Sequence, residues 1–439
     1  MSETPKHTVR RTIARHGQLS SPGPVQQLLR VLGVALAVVI VSAFGVVGYA
    51  AYDFGATFSA DAVVLEGQEA APPDIGELDN KGVNILFAGL DACEEEYKQY
   101  FGNGRCPEGS EYDPESREQV LNDVNMLVHI SPEPRRVTVV SFPRDLMVEG
   151  PECTDPQGDV ASALSRTQLN EAYYRGDLGC IVKTIEELSG QTIDYGATVT
   201  WGGVIEITNA IGGVDVCVGG EGIYDEHTGL EIPPSEKYTL VGVEALQFLR
   251  TRYGVGGSDL NRISNQQVYM SALARKLTSE EVLSNPSTLL TLARTTLENV
   301  DPSSSLTNPV TLVQIAMAAK DVPLQDFTFV QYPVVDDPYD SNRVAPDYAS
   351  AEALWAALEQ NVPLQITGDT GGGAILAEGE EGAETPAPED TQAPVETTTP
   401  ETPSMTETPA PTDTPASGEL SANVHGSDAS QVTCSNGVG

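Results

Sequence analysis

Residues 125–146 read NMLVHISPEPRRVTVVSFPRDL, two short apolar runs separated by a proline-rich turn. Residues 125–131 and 136–143 have the β-branched and apolar composition that is typical of strands. Because a proline closes the second run, Arg144 is expected to emerge at the carboxyl end of a strand. Sheets of α/β proteins place their ligand sites at that end. The stretch therefore predicts a strand pair with a cationic side chain at a binding edge; the alternative is that Arg144 only pairs with a neighbouring surface acid, which contributes little.

Strand-like runs alternate with helical patterns through most of the remaining chain. Further strands are predicted at 83–90, 192–200, 214–218 and 327–335, and helices at 179–190, 201–213, 259–277, 280–300, 307–320 and 350–361. Alternation of this kind predicts an α/β fold built in layers around a largely central sheet. Residues 92–120 are polar and glycine-rich, so they are interpreted as a loop insertion.

The charge balance and the missing motifs exclude several classes of function. The formal net charge is -39, from 24 Lys+Arg and 63 Asp+Glu. Nucleic-acid binding needs a basic face, so it is not expected. The sequence contains no GxSxG, HExxH or P-loop motif, and only His129 and His227 fall in the region expected to fold, which argues against a histidine-based hydrolase.

The N-terminal part is organised as a membrane anchor. Residues 1–30 are polar and basic, and residues 31–52 carry no charge over a length sufficient to cross a bilayer as a helix. A cleaved signal peptide is the alternative, but its apolar region is usually shorter. The positive-inside rule places the N-terminus in the cytoplasm and everything after residue 52 outside the cell. Residues 53–80 are interpreted as an extracellular linker.

The C-terminal part changes composition after about residue 365. Residues 366–439 are rich in Thr, Pro and Glu, and no Lys or Arg follows Arg343. Such a segment buries too little apolar surface to fold, so it is predicted to be a disordered tail. A more specific interpretation is an extended stalk that reaches through cell-wall polymer. The folded domain is accordingly expected to span 81–365.

The six cysteines contain no CxxC pair and no histidine at zinc-finger spacing, so a structural zinc site is not expected. They lie at positions 93, 106, 153, 180, 217 and 434. An exported domain permits disulfides, but the spacing does not give their connectivity. Five cysteines lie in the predicted domain, so either one of these is free or one pairs with Cys434.

A cluster of arginines surrounds a glycine turn at residues 249–267, LRTRYGVGGSDLNRISNQQ. Arg250 and Arg252 are two residues apart and point to one face if the segment is extended. Asp259 and Arg262 are three apart on a predicted helix, whose N-terminus favours an anion. Three guanidiniums near a helix terminus suit a pyrophosphate. The alternative is a salt-bridge cluster around Asp259.

Two carboxylates flank the first predicted strands. Asp91 ends VNILFAGLD and Asp123 precedes VNMLVHI. Two carboxylates suit Mg²⁺ when phosphate oxygens supply further ligands. The alternatives are a turn former for Asp91 and a strand-flanking acid for Asp123.

Together these blocks resemble the LytR-CpsA-Psr family of cell-wall glycopolymer transferases. The resemblance covers about residues 83–364 and rests on VNILFAGLD, LNDVNMLVHI, VTVVSFPRDL, NAIGGVDVCV and the arginine segment, in that order. It implies a membrane-anchored three-layer α/β/α domain with a central mixed sheet, outside the cell. It also implies transfer of a polyprenyl-pyrophosphate-linked glycan to a peptidoglycan acceptor, leaving a phosphodiester.

The resemblance assigns roles to individual positions. The metal ligands for Mg²⁺ or Mn²⁺ would be Asp91 and Asp123. The pyrophosphate-binding residues would be Arg144, Arg250, Arg252, Arg262 and Gln266. The residues taking part in catalysis would be Asp91, Arg144, Arg250, Arg252 and Asp259, with Asp91 or Asp259 accepting the proton of the acceptor hydroxyl.

Several positions depart from the family pattern. Residues DACEEEYK follow where the family often has an arginine, Val124 replaces a threonine, and Ser264-Asn265 replaces a basic pair. These departures keep two alternatives open: a pyrophosphatase of lipid-linked intermediates, with water as the acceptor, and a non-enzymatic wall-binding or scaffold protein.

Overall fold

The computed structural model describes residues 62–65, 82–100, 120–377 and 418–439. The predicted transmembrane segment 31–52 lies outside these ranges. Within them, no helix is both long and apolar enough to cross a membrane.

The described residues form eight α-helices and nineteen strands, as follows. The helices are α1 Ala172–Ser189, α2 Trp201–Ala210, α3 Val243–Arg250, α4 Asp259–Leu277, α5 Glu280–Leu283, α6 Pro286–Asn299, α7 Pro309–Lys320 and α8 Tyr348–Glu359. The strands are β1 Val83–Asp91, β2 Leu121–Ile130, β3 Val137–Phe142, β4 Met147–Gly150, β5 Cys153–Thr154, β6 Val160–Ala161, β7 Leu164–Gln168, β8 Tyr195–Thr200, β9 Val214–Gly220, β10 Ile223–Asp225, β11 Leu230–Ile232, β12 Ser235–Leu240, β13 Val300–Pro302, β14 Phe327–Gln331, β15 Val334–Asp336, β16 Val344–Pro346, β17 Ala374–Leu376, β18 Gly426–Asp428 and β19 Thr433–Gly437.

The central sheet has seven strands in the order β13-β8-β1-β2-β3-β14-β18. Strands β8 and β1 are parallel, as are β3 and β14, whereas the β1–β2 and β2–β3 pairs are antiparallel. The mixed central sheet predicted from the sequence is therefore confirmed. The strand expected over 327–335 is divided into β14 and β15, because Pro333 has no N–H for a continuous ladder.

Both faces of the central sheet are covered. Leu86 and Leu127 belong to a cluster on one face that includes Leu178 of α1 and Leu354 of α8. Their neighbour Ile85 belongs to a second cluster, against which α4 and α7 pack. Side chains alternate between the two faces of a strand, so apolar residues at successive positions give two buried faces.

A second sheet lies beside the first, in the order β12-β9-β19-β17. Its core contains Val216 and Val218 of β9, together with Phe248 of α3 and Val268 of α4. Helix α4 therefore packs between two sheets. Its N-cap is Ser258, whose side chain accepts a hydrogen bond from the Asn261 N–H.

Residues 366–377 and 418–439 are folded, so the predicted disordered tail is wrong for these two segments. Strand β18 pairs with β14 at the edge of the central sheet, and β19 pairs in parallel with β9 of the second sheet. The low-complexity composition is confined to the residues between them, which lie outside the described ranges. A third histidine, His425, also lies in this folded portion.

The C-terminal strand is also attached covalently. Cys434 of β19 forms a disulfide with Cys217 of β9, and Cys153 pairs with Cys180. None of the cysteines that the structure describes is free, so pairing with Cys434 is the alternative that is confirmed. At the other end, Leu65, expected in a linker, is buried in the core.

Loss of the Cys217–Cys434 disulfide should destabilise the fold more than loss of Cys153–Cys180. The two bonds close segments with sequence separations of 217 and 27 residues. Chain entropy then makes the first worth about 2 kcal/mol more than the second. Urea unfolding of the Cys217→Ser/Cys434→Ser and Cys153→Ser/Cys180→Ser variants measures both. Equal losses would contradict the prediction.

His129 should make the fold less stable in mild acid. It is buried, with Nδ1 2.8 Å from Asn84 Oδ1, and burial lowers its pKa to about 4. As pH falls below about 6.5 the unfolded chain takes up the proton first, so the stability is lost between about pH 6.5 and 4, by up to about 3 kcal/mol.

The free energy of unfolding of wild type and His129→Gln, measured over this pH range, tests the effect. The variant should have a flatter pH profile. The exposed His227→Gln variant is the control and should keep the wild-type slope. An unchanged slope in His129→Gln would exclude this histidine as the cause.

Candidate active site

Asp123 is displaced from the regular ladder by a β-bulge. Gly89 of β1 lies opposite Val124, and the next residue, Leu90, lies opposite Asn122. Asp123 is therefore the extra residue, and bulges commonly redirect a side chain at a functional site. Asp91 ends the neighbouring strand, so both carboxylates lie at one end of the β1–β2 pair.

Four charged side chains, three of them buried and Arg144 half-buried, connect β2, the end of β3 and helix α4. Arg144 Nη1 lies 2.6 Å from Asp123 Oδ2, and Arg262 Nη2 lies 2.6 Å from Asp259 Oδ1. The two pairs are crosslinked: Arg262 Nη2 donates to the Asp123 carbonyl at 3.1 Å, and the Arg144 N–H donates to Asp259 Oδ2 at 3.2 Å. This group of Asp123, Arg144, Asp259 and Arg262 is called the buried charge cluster below.

The electrostatics of the two arginines differ. Burial opposes the charge of Arg144, but Asp123, Asp259 and Asp145 outweigh it and raise its pKa. Burial dominates at Arg262 and lowers its pKa, although both carboxylates of the cluster oppose that shift. Arginine stays charged even so, because its ordinary pKa lies far above neutral pH. A buried guanidinium charge is tolerated only where carboxylates pair with it.

The buried charge cluster leaves polar atoms without hydrogen bonds. Among the described residues, Asp123 Oδ1 and the Nε atoms of Arg144, Arg252 and Arg262 are buried and have no hydrogen-bond partner. An unsatisfied buried polar atom costs about 1–3 kcal/mol. Several such atoms in one place are typical of a site that a ligand completes.

Arg250 and Arg252 do not extend along one face, so that expectation is wrong. Arg250 is the last residue of α3, and its guanidinium lies 5.7 Å from the centre of the Trp201 ring. Arg252 follows the turn: its N–H donates to Asp225 at 3.1 Å, and its Nη2 lies 4.0 Å from Asp145. The two guanidiniums therefore have different neighbours, Trp201 for Arg250 and Asp145 for Arg252.

Gln266 holds two helices together. Its Nε2 donates to the carbonyl of Leu249 at 3.0 Å, which connects α4 to the end of α3 beside Arg250. Trp201 positions Asp91, since its Nε1 donates a hydrogen bond to Asp91 Oδ1 at 3.2 Å.

An apolar cavity of about 390 Å³ lies between the central sheet and helices α2, α4 and α6. Its lining is Phe87, Gly89, Val124, Met126, Val128, Val139, Val199, Trp201, Val204, Ile207, Leu249, Gln266, Tyr269, Met270, Leu273, Leu277, Leu292, Thr296 and Val300. Val124 follows Asp123, Leu249 precedes Arg250, and Trp201 contacts Asp91. One end of the cavity is therefore built from residues adjacent to the charged groups.

The model of the LytR_cpsA_psr family matches residues 58–360. The chain belongs to the LytR_cpsA_psr family. The match includes every site residue named above.

Two curated relatives illustrate the range of similarity. The chain is 24% identical over 355 residues to the polyisoprenyl-teichoic acid–peptidoglycan teichoic acid transferase TagV of Bacillus subtilis, covering 80% of this chain and 81% of TagV. It is 28% identical over 190 residues to the cell wall biosynthesis protein LcpA of Corynebacterium glutamicum, covering 39% of this chain and 36% of LcpA. The match thus spans little more than a third of the length of LcpA.

Solved structures show the same fold. Protein gbs0355 of Streptococcus agalactiae superposes with a TM-score of 0.50 and 19% identity, covering 65% of this chain and 89% of that one. TagT bound to LIIa-WTA also gives a TM-score of 0.50 at 19% identity, with coverages of 68% and 98%. These similarities support the LytR_cpsA_psr fold at low identity.

Ser264 and Asn265, which replace a basic pair of the LytR_cpsA_psr pattern, are buried under the C-terminal segment. Asn265 Oδ1 accepts a hydrogen bond from Ser435 of β19 at 2.5 Å. A Cβ on Gly371 would lie 2.1 Å from Ser264 Oγ, and one on Gly373 would lie 1.9 Å from the Asn261 carbonyl. Such close packing leaves no room for two basic side chains.

The other departures also have structural partners. Glu94, after Asp91, accepts hydrogen bonds from the Gly202 N–H at 2.7 Å and from Thr200 Oγ1 at 2.8 Å, at the N-terminus of α2. A carboxylate is favourable at a helix N-terminus. Val124 packs against the cluster around Trp201. The altered positions therefore stabilise the surroundings of the site.

Sequence reasoning missed Trp201, Arg343 and the central role of Asp145. Arg343 Nη1 lies 2.6 Å from Asp145 Oδ1, across nearly two hundred residues. The one local signal was that Arg343 is the last cation of the chain. Its pairing depends on a long-range contact, which no motif indicated.

Removal of Arg262 should strongly destabilise the protein. Arg262→Ala deprives the buried Asp259 carboxylate of its closest partner and leaves Asp123 paired with Arg144 alone, a loss of about 3–5 kcal/mol. Arg294→Ala is the control, because Arg294 makes an exposed pair with Glu298 at 2.7 Å and should cost about 0.5 kcal/mol or less. Urea unfolding measures both, and similar losses in the two variants would contradict the prediction.

Proposed function

We propose that this chain transfers a polyprenyl-pyrophosphate-linked glycopolymer to peptidoglycan and leaves a phosphodiester link. The observation that carries the proposal is a nearly all-apolar cavity whose lining includes Val124, the neighbour of Asp123, and Trp201, over which Arg250 lies. A ligand with an anionic head and a long apolar chain fits both features. The similarity to TagV, over most of both chains, supports a glycopolymer as cargo and peptidoglycan as acceptor.

The arginines would bind the pyrophosphate and stabilise the charge that develops in the transition state. Arg144 and Arg252 each have an Nε atom without a hydrogen bond among the described residues, and both side chains are partly exposed, so their guanidiniums keep donor capacity for phosphate oxygens. Preorganised donors of this kind stabilise a transition state efficiently, because they need not reorient. Arg250 would contribute a further guanidinium at the end of α3. Arg262 would mainly hold Asp123 and Asp259 in place.

The reaction is a phosphoryl transfer. A hydroxyl of the acceptor sugar attacks the glycan-proximal phosphorus, the bond to the second phosphate breaks, and polyprenyl phosphate leaves. The hydroxyl proton passes to a carboxylate, for which Asp91 and Asp259 are the candidates. Both are buried at the site.

The carboxylates fit a divalent cation of the Mg²⁺ or Mn²⁺ type. Asp123 Oδ1 is buried without a hydrogen bond among the described residues, and Asp91 lies on the adjacent strand. Within the described ranges, no three acidic, histidine or cysteine side chains are placed so that they could hold a metal ion together, and Mg²⁺ needs few protein ligands when phosphate supplies the others. When bound, the cation would neutralise charge on the pyrophosphate.

The same proposal includes the location of the protein. Residues 31–52 would anchor it as a single-pass membrane protein, with the N-terminus in the cytoplasm and the catalytic domain outside the cell. A polyprenyl-linked substrate resides in the membrane, so an anchored domain would meet it there.

Arg144→Ala should lower the transfer rate by at least about 100-fold, because it removes a preorganised donor to the developing charge. The assay supplies polyprenyl-pyrophosphate glycan and peptidoglycan to the full chain and measures the linked product. Arg294→Ala, on the exposed face of α6, is the control and should retain the wild-type rate. Absence of product from wild type would reject the transferase.

Three further readouts separate the alternatives. Robust release of glycan phosphate without peptidoglycan would indicate a pyrophosphatase. Binding of lipid-linked glycan that is unchanged in Arg144→Ala and Arg252→Ala would indicate a scaffold role. Mn²⁺ binding followed by electron paramagnetic resonance should weaken in Asp123→Asn, and this readout does not depend on turnover.

A further inference from the structure

Asp145 connects an additional arginine to the site. Its Oδ1 accepts hydrogen bonds from Arg343 Nη1 at 2.6 Å and from Gln168 Nε2 at 3.1 Å. Its Oδ2 lies 3.9 Å from Arg144 Nε and 4.0 Å from Arg252 Nη2. One carboxylate therefore lies within 4.0 Å of three guanidiniums, two of which are assigned above to the pyrophosphate.

Arg343 is presented by a hairpin that is held in position. Strands β15 and β16 are antiparallel, and Val344 forms a bridge with Leu146, next to Asp145. Within the loop, the buried Asp337 pairs with Arg166 at 2.5 Å. The loop is thus attached on both sides, so Arg343 is fixed relative to the rest of the site.

The hairpin loop also carries an exposed aromatic ring. Tyr339 is 83% exposed, and the guanidinium of Arg166 lies 5.2 Å from its ring centre. An exposed ring stabilised in this way offers an apolar face beside cationic groups. Rings with these properties are suited to the apolar faces of sugars.

Five guanidiniums at or beside the site differ in the exposed fraction of their side chains. Side-chain exposure is 5% for Arg262, 16% for Arg144, 30% for Arg252 and Arg343, and 38% for Arg166. The apolar cavity is lined in part by Val124, the neighbour of Asp123, with which the two least exposed of these guanidiniums pair. A lipid-linked substrate has the same order of groups: an apolar chain, a pyrophosphate and then the sugars. In this comparison Arg343, which is joined to Arg144 and Arg252 through Asp145, corresponds to the first sugars.

A purely structural ion pair is the simpler interpretation of Arg343 and Asp145. A guanidinium has five N–H donors, and the carboxylate contacts of Arg343 involve Nη1 with Asp145 and Nε with Asp340 at 3.9 Å. Donors therefore remain on a side chain that is partly open to solvent. An Arg343–Asp145 ion pair that served stability alone would not need to lie next to the arginines assigned to the pyrophosphate.

We propose that Arg343 is a further substrate-binding residue, which contacts a phosphate or carboxylate on the sugar units nearest the pyrophosphate. The proposal rests on the proposed function. It makes the β15–β16 hairpin a determinant of specificity for anionic glycopolymers, distinct from the arginines that bind the pyrophosphate itself.

The test measures binding of short-chain prenyl pyrophosphates to the full chain. Three probes carry the same disaccharide in neutral, phosphorylated or carboxylated form. Wild type should bind at least one anionic probe more tightly than the neutral one. Arg343→Gln should weaken that binding about tenfold and leave the neutral probe unaffected, because it loses one charge-assisted hydrogen bond.

Arg343→Lys and Asn342→Ala complete the set. The lysine variant keeps the charge and should recover part of the preference, whereas Asn342→Ala, on the same loop, should behave as wild type. Equal affinity of wild type for all three probes, or equal weakening of all three in Arg343→Gln, would overturn the proposal. The comparison of the phosphate and carboxylate arms identifies the anionic group.

The binding measurement separates this proposal from the proposed function. Selective binding without transfer to peptidoglycan would reject the transferase and support Arg343 as a substrate-binding residue. Transfer with no preference among the probes would support the transferase and reject the role of Arg343 in binding anionic sugars. Thermal melting of each variant shows whether a loss of binding reflects unfolding.

Discussion

The structure depends on the buried charge cluster of Asp123, Arg144, Asp259 and Arg262. Two short ion pairs and two hydrogen bonds to main-chain groups join the bulge of β2, the end of β3 and the first turn of α4. Buried charges are tolerated only when they are paired and hydrogen-bonded. The positions of these three elements are therefore interdependent, and the remaining parts of the site are arranged around them.

The same cluster gives the site its chemical character, because it adjoins an apolar cavity. Val124, Leu249 and Trp201 line the cavity, and each is next to or in contact with a charged residue of the site. Because cationic groups lie next to an apolar surface, the site matches a ligand with a charged head and an apolar chain better than a wholly polar ligand. The helices that bound the cavity thus serve both the core and the ligand.

The C-terminal segment is part of the domain that carries the site. Strand β19 hydrogen-bonds to Asn265 on α4 and is bound covalently to β9, while glycines 371–373 pass close to the same helix. This helix carries Arg262 and Gln266. Substitutions on α4 that depart from the family pattern are therefore explained by a packing partner in the chain itself.

The sequence by itself determined most strands of the central sheet, most of the helices that pack on it, and the arginines and aspartates of the site. These follow from hydrophobic periodicity and side-chain chemistry, which act over a few residues. Only the tertiary structure decided that Arg250 ends a helix, that Asp145 pairs with Arg343, and that the C-terminus returns to both sheets. Such contacts join residues distant along the chain, so they depend on strand register and packing, which a local pattern does not encode.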